Sequence, residues 1–324
     1  MDFLPEYLEQ LELELPAEAK RGFEKLYQPI DYLLRIQGKR IRPILVYLGY
    51  HCFAADWREA TAAARSIEWF HNFTLMHDDI MDKASLRRGA QTVHKRWNTT
   101  QAILSGDAML IQAYYFLGVY EKEVYTQLIP LFTQTALEVC KGQQWDVDFE
   151  SALAVSLEDY LEMIRLKTAV CLGASLQIGA IIAGAPLGEQ RVLYDFGIAL
   201  GMAFQLQDDY LDLFGVPEQV GKKVAGDVIE NKKTCLYITA LQSADAQQRK
   251  ALTQWYREKP TDPSTKINAV RTSFEALGVP QRVKAEVDRY TAKALSQLGQ
   301  LQTASKTIER RLESLAQALL KRNY

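Results

Sequence analysis

Glycine and proline are scarce in this chain, at 18 and 10 of 324 residues. These are the residues that build tight turns, so a turn-rich β architecture is disfavoured. The abundance of Leu, Ala, Glu, Gln and Lys favours helices instead. An excess charge of one sign is also lacking, with 38 basic residues against 40 acidic ones. A general nucleic-acid binder usually carries a basic surplus, so no nucleic-acid partner is expected, although a local basic patch remains compatible. The four cysteines (Cys52, Cys140, Cys171, Cys235) stand far apart and form no C-x-x-C pair. Each is expected to behave as a small buried hydrophobe in a reducing compartment. Long apolar runs are missing too. The longest, around "IGAIIAGAPLG", is too short and too glycine-rich to span a bilayer. The opening "MDFLPEYLEQLELELP" is acidic and has no basic segment before an apolar run, so no signal peptide is read. A cytoplasmic protein without stable membrane insertion is the expectation.

What is present is helical periodicity, almost end to end. Apolar residues recur at three- and four-residue steps through 18–36, 43–56, 57–82, 101–119, 123–141, 156–184 and 189–214. Further helices are expected around 233–242, 246–257, 264–276, 280–298 and 303–321. No credible alternating strand is found. Breaks are expected at Gly38, at 95–100 (KRWNTT), at 142–151 (GQQWDVDFES), at 184–188 (GAPLG), at 215–233 and at 259–264. None of them looks like a domain boundary, so the fold class is all-α and the chain is one domain, 1–324.

Two of the long apolar helices end in the same way. The first closes on "HDDIMD", with Asp78, Asp79 and Asp82, and the second on "QDDYLD", with Asp208, Asp209 and Asp212. Residues four apart on a helix lie nearly above one another, so Asp78 and Asp82 share a face, as do Asp208 and Asp212. A helix C-terminus carries partial negative charge, so stacked carboxylates there repel unless something positive neutralises them. One such motif would be read as a solvated acidic end, but two copies in the same setting point to a metal. Hard oxygen donors without thiols favour Mg²⁺ over zinc, and Mg²⁺ typically bridges carboxylates to substrate phosphates. A di-iron site would want Glu-x-x-His pairs, and none occurs among the four histidines.

Basic residues gather in the breaks. "GKRIRP" supplies Lys39, Arg40 and Arg42, "LRRG" supplies Arg87 and Arg88, and "RLKT" supplies Lys167. The glycine-containing loop supplies Lys222, Lys223, Lys232 and Lys233. Arginine forks grip phosphate oxygens bidentately and lysines act as point charges, so the set suits more than one polyphosphate. The "GKKVAGD" stretch lacks the G-x-x-x-x-G-K-[ST] spacing and a preceding strand, which rejects a P-loop.

Taken in order, "GKRIRP", "HDDIMDKASLRRG", "RLKT", "FQLQDDYLD" and "GKKVAGDVIENKKT" resemble the trans-isoprenyl diphosphate synthases. The resemblance implies a helical bundle around a deep apolar cavity, usually as a homodimer. It also implies condensation of isopentenyl diphosphate with an allylic prenyl diphosphate by ionisation, condensation and elimination. On this resemblance Asp78 and Asp82, with Asp79, hold Mg²⁺ on one side of the allylic diphosphate. Asp208 holds it on the other, with Asp209 and with Asp212 acting through water. Arg87, Lys167, Lys222 and Lys232 contact the allylic diphosphate. Lys39, Arg42, His71 and Arg88 match the isopentenyl diphosphate site. Thr168 and Gln205 present oxygen dipoles to the carbocation, and Gln143 and Asp146 match a weaker signature lining the site. His51, His77 and His94 are read as ordinary core or surface histidines.

The family's chain-length control lies upstream of Asp78. Thr74 is small, and Phe73 sits about 7–8 Å back along the helix axis at 1.5 Å per residue. Phe73 is therefore the candidate floor, while Trp69 reads as core. A bulky residue five before the motif, with no insertion inside it, resembles geranylgeranyl-type synthases, and farnesyl synthases are the alternative. Class I terpene cyclases usually replace the second acidic motif and lack an isopentenyl diphosphate site. Non-catalytic subunits tend to lose an acidic motif. Both motifs are intact here.

Overall fold

The computed structural model describes residues 3–11, 13, 15–16, 19, 22–215, 225–258, 260–302 and 305–321. The order is α1 (Leu4–Gln10), α2 (Glu24–Arg35), α3 (Ile41–His51), a 3-10 turn (Trp57–Ala60) and α4 (Thr61–Met81). A two-strand hairpin, β1 (Leu86–Arg87) and β2 (Ala90–Gln91), follows, and then α5 (Val93–Arg96), α6 (Thr99–Leu117) and α7 (Lys122–Ser151). Next come α8 (Leu157–Ile164), a π-helical turn (Arg165–Ala169), α9 (Val170–Ile182) and α10 (Leu187–Phe214). Helices at Gly226–Glu230, Cys235–Ser243, Ala246–Trp255, Ser264–Ala276, Val279–Leu298 and Lys306–Lys321 complete the order. The protein is all-α, as expected. Asn98 and Ser156 start α6 and α8 by accepting the backbone N–H three residues on, at 2.8 and 3.0 Å. Both are favoured N-cap residue types.

The chain forms two compact units. One comprises Met1–Gln134, Ala174–Tyr194 and Leu301–Ser314; the other comprises Thr135–Gly173, Asp195–Gln300 and Leu315–Tyr324. In the first unit α4 packs on α3 and α6, and burial of Ile44, Leu45, Ile67, Trp69 and Phe70 forms its core. The second unit has its own core, which includes Tyr160, Met163, Leu206, Leu213, Leu236 and Phe274.

Three expectations are corrected. The break at 142–151 does not exist, because α7 runs unbroken for 30 residues to Ser151. Gly142 is a contact rather than a stop. A Cβ there would lie 2.4 Å from the backbone nitrogen of Lys167, so glycine lets α7 touch the π-helical turn. An interior glycine costs a helix about 1 kcal/mol, less than a long packed helix recovers. The continuous helix from Leu157 to Ile182, 26 residues, is long and apolar enough to cross a bilayer, which the apolar-run reading did not anticipate. Its apolar window is 78% buried inside the protein, so that apolarity serves packing. Finally, Cys52, Cys171 and Cys235 are buried, but Cys140 is exposed on α7.

Candidate active site

The acidic end of α4 is answered from within its own unit. Asp82 caps the helix, its N–H donating to the Asp78 carbonyl at 2.9 Å, and Lys83 leaves it with φ 52°. The chain returns through the β1–β2 hairpin, in which Arg87 pairs with Ala90. Its two loop residues, Arg88 (φ 52°) and Gly89 (φ 78°), are both left-handed. This is the pattern of a type I′ turn, where Asn-Gly is the common choice. The tight turn sends the two arginine side chains to different places. Arg87 donates from Nε and Nη2 to Asp79 Oδ1 at 2.9 and 2.6 Å, and from Nη2 to Asp78 Oδ2 at 3.3 Å. Arg88 lies across Gly38, where a Cβ would fall 2.3 Å from its Nη1. The glycine read as a break in "GKRIRP" is thus the seat of a guanidinium.

Around His71 the first unit gathers cations. Arg42 donates from Nη1 to His71 Nε2 at 3.1 Å. Because arginine can only donate, Nε2 carries the lone pair and the proton sits on Nδ1. Burial first, and then the charges of Arg42, Arg88, Arg87 and Arg40, hold the His71 pKa well below the ordinary histidine value, so the ring is neutral. Desolvation and the neighbouring guanidinium of Arg40 lower the pKa of Arg88 as well, against the opposing pull of Glu68. Arg40 itself has another task. It pairs with buried Glu68 and donates to the Leu34 and Ile36 carbonyls, and Asn72 Nδ2 donates to Glu68 Oε1 at 2.9 Å. Lys39 is exposed beside it.

Below the motif, Thr74 is half-buried and donates to the His71 carbonyl at 2.8 Å. Phe73 is half-buried, its ring 4.9 Å from His77 and 5.9 Å from Phe70. Phe70 is sealed, stacking edge-on at 5.3 Å against Phe132, which meets Tyr114 at 4.8 Å. Trp69 is core, as expected, against Phe116. His77 Nε2 donates to the Ile103 carbonyl at 3.2 Å, and His51 Nδ1 bonds to the Tyr7 hydroxyl at 2.9 Å.

In the second unit, the π-helical turn carries Lys167 and Thr168. Such turns insert one residue per turn and re-aim side chains, often at functional sites. Lys167 donates to Asp146 Oδ2 at 2.6 Å, and Thr168 Oγ1 donates to Gln205 Oε1 at 3.1 Å. Gln143 stands half-buried one turn before Asp146 on α7. On α10 the middle aspartate of the motif is buried, like Asp79 in the first. Asp209 accepts from Tyr160 and from Gln205 Nε2, and burial pushes its pKa up to about 6. Asp208 and Asp212 are half-buried. Asp212 also caps the short helix at 226–230, accepting from Gly226 N at 3.2 Å and Asp227 N at 3.0 Å.

Sequence reasoning missed Asp227, whose carboxyl is held well above its usual pKa by burial and then by Asp212 and Asp209. Its signal was an acid directly after Gly226, in a loop read only for its lysines. The Lys232 N–H donates to the Asp227 carbonyl at 2.9 Å. Lys233 is no phosphate candidate, because its ammonium closes the end of α7 on the Phe149 and Glu150 carbonyls. Lys222 and Lys223 lie outside the described residues.

Among the described residues, no three His, Cys, Asp or Glu side chains form a metal cage. The first and last aspartates of each motif supply only oxygen donors, as a hard divalent ion requires.

Comparison with known proteins supplies the family. The chain is similar to the short chain isoprenyl diphosphate synthase of Methanocaldococcus jannaschii, with 35% identity over 271 residues, 83% of this chain and 81% of that one. A solved geranylgeranyl pyrophosphate synthase shares 43% identity and a TM-score of 0.90, covering 100% of this chain and 97% of the other. Another, from Corynebacterium glutamicum and complexed with isoprenyl diphosphate and magnesium, shares 28% identity and a TM-score of 0.85 over 99% and 97% of the two chains. The polyprenyl synthetase family model matches residues 23–273. The chain belongs to the polyprenyl synthetase family and is a trans-prenyltransferase.

Proposed function

We propose that this chain is a Mg²⁺-dependent geranylgeranyl diphosphate synthase, with 1–324 serving as a single synthase domain in the cytoplasm. The observation that carries the reading is the sorting of charge in the first unit. Arg42 and Arg88 surround a neutral His71, while Asp78 and Asp82 stand two and three helical turns on. A diphosphate that needs no metal fits the cations, and a diphosphate that needs metal fits the acids. Lys39, Arg42, His71 and Arg88 hold isopentenyl diphosphate. Arg87, Lys167, Lys222 and Lys232 hold the allylic diphosphate. Asp78, Asp82, Asp208 and Asp212 hold the metal, and buried Asp79 and Asp209 brace them. Bound Mg²⁺ supplies neutralisation of the charge that develops on the departing diphosphate.

The allylic C–O bond breaks, and its electron pair leaves with the diphosphate. Thr168 and Gln205 turn oxygen dipoles toward the cation left behind. The isopentenyl double bond supplies the pair for the new C–C bond, and the proton lost from the adjacent carbon goes to the released diphosphate. Apolar walls exclude the water that would quench the cation.

Phe73 as a half-buried lid over sealed Phe70 favours the twenty-carbon product. Incubation with Mg²⁺, isopentenyl diphosphate and geranyl or farnesyl diphosphate tests this by product length. Geranylgeranyl diphosphate is expected, and Phe73→Ala should lengthen the product by about one isoprene unit, since Phe70 closes the path one turn further on. A stop at farnesyl diphosphate would replace the reading with farnesyl synthase. No condensation with any primer would sink the proposal.

We also infer a homodimer. Leu104, Ile111 and Tyr115 are 52, 68 and 74% exposed along one stripe of α6, an apolar face of the kind partners cover. Sedimentation of the purified enzyme should give twice the mass of one chain, and a monomer at assay concentration would refute it.

A further inference from the structure

Behind Thr168 a line of hydrogen bonds runs back into the core of the second unit, and its far end has no role in the chemistry described above. Thr168 Oγ1 donates to Gln205 Oε1 at 3.1 Å. Gln205 Nε2 donates to Asp209 Oδ1 at 3.1 Å. Tyr160, on α8, donates its hydroxyl proton to Asp209 Oδ2, and the Cys235 thiol also bonds to Asp209. Tyr160 is 4% exposed and Asp209 3%.

The line has a direction. A glutamine amide can present either of its ends, and nothing in the side chain itself decides which. Asp209 accepts, so it selects the NH₂ end and leaves Oε1 for Thr168. A threonine hydroxyl has one proton. Once that proton is given to Gln205, only lone pairs remain on Thr168 Oγ1 for any other neighbour. If the amide turned over, its NH₂ would take a Thr168 lone pair, and the hydroxyl proton would be aimed the opposite way. A proton facing a developing cation raises the barrier that a lone pair lowers.

We propose that Tyr160 is a positioning residue for prenyl transfer. By holding Asp209, it fixes the orientation of the Gln205 amide and so keeps the Thr168 lone pairs turned toward the allylic cation. This rests on the reading that places Thr168 and Gln205 at the reacting carbon. The competing account is plainer: a buried tyrosine tied to a buried aspartate that only stabilises the unit.

The two accounts separate in a double-mutant cycle on the full-length enzyme with Mg²⁺, isopentenyl diphosphate and farnesyl diphosphate. Tyr160→Phe keeps the ring and removes one donor. It should lower kcat about tenfold, the scale of one reoriented hydrogen bond, with KM for both substrates unchanged. Thr168→Val removes the hydroxyl and should lower kcat at least as much. In the Thr168→Val background, Tyr160→Phe should lower kcat no further, because there is no hydroxyl left to orient. Asp209→Asn serves if Tyr160→Phe folds poorly. Its amide can donate toward Gln205 and reverse the line, so its kcat loss should likewise vanish with Thr168→Val. Losses that multiply, or a Tyr160→Phe effect confined to melting temperature, would overturn the proposal alone. A normal kcat in Thr168→Val would overturn the placement of Thr168 and the proposal with it.

Discussion

Asp208→Ala is expected to lower kcat by about 10³-fold, the cost of losing one group that stabilises transition-state charge, while the metal-free protein melts within a few degrees of the parent. The two halves of that result have separate causes. In the metal-free protein Asp208 stands one turn from Asp212 near the end of α10. Like charges at that spacing cost a few tenths of a kcal/mol. Its removal therefore takes away repulsion, which offsets whatever packing is lost. Asp78→Ala on α4 should lose kcat to a similar degree, but it also gives up the 3.3 Å contact from Arg87 Nη2, so its melting temperature should fall further. Steady-state kinetics with thermal melts, each with and without Mg²⁺ and a diphosphate, measure both halves. The ligand-induced rise in melting temperature should disappear in Asp208→Ala. A variant that keeps its kcat would remove Asp208 from the metal-holding set.

The acidic motifs, the basic breaks and the helical class were legible because each leaves a signature along the chain. Helical periodicity marks core-facing stripes, and D-D-x-x-D at a helix end is improbable without a counter-charge. What periodicity cannot carry is the meaning of a glycine or the direction of a side chain. Gly142 reads as a break by composition, yet α7 passes through it, since the missing Cβ admits the backbone of Lys167. The other half of that contact lies 25 residues further along, in a turn whose π-helical form has no periodic signature. Gly38 carries the same lesson with Arg88.

The division within each acidic motif was likewise hidden. All six aspartates qualify as metal ligands by residue type, and helical spacing separates Asp79 and Asp209 from their neighbours only by direction. Their burial depends on what packs there: Arg87 after a type I′ turn in one case, Tyr160 from α8 in the other. Neither partner lies within helical reach of the motif. Asp227 escaped for a related reason, because its burial against Asp212 depends on the short helix that Asp212 itself caps.

That division gives the second large effect. Asp79→Ala should cost about 3–5 kcal/mol of folding free energy, the usual result of removing one partner from a buried ion pair. Asp79 is 3% exposed and Arg87 21%. Without Asp79, the Arg87 guanidinium keeps only the longer contact to Asp78 Oδ2, at 3.3 Å. Asp79→Asn should cost far less, about 1 kcal/mol at most, because the amide oxygen still accepts from Arg87.

The pH dependence distinguishes charge from shape. Burial raises the Asp79 carboxyl above its usual 3.8 in the fold, against the pull of Arg87. Folding therefore takes up a proton there, and the residue's contribution to stability weakens as pH rises above 3.8. Asparagine has no such titration, so Asp79→Asn should gain on the parent between acid and neutral pH. Arg87→Ala added to Asp79→Ala should recover part of the loss, since no stranded cation remains. Urea unfolding of the four proteins measures each step. An unchanged midpoint for Asp79→Ala would mean that the pair contributes nothing to the fold, and Asp79 would return to the metal-holding set.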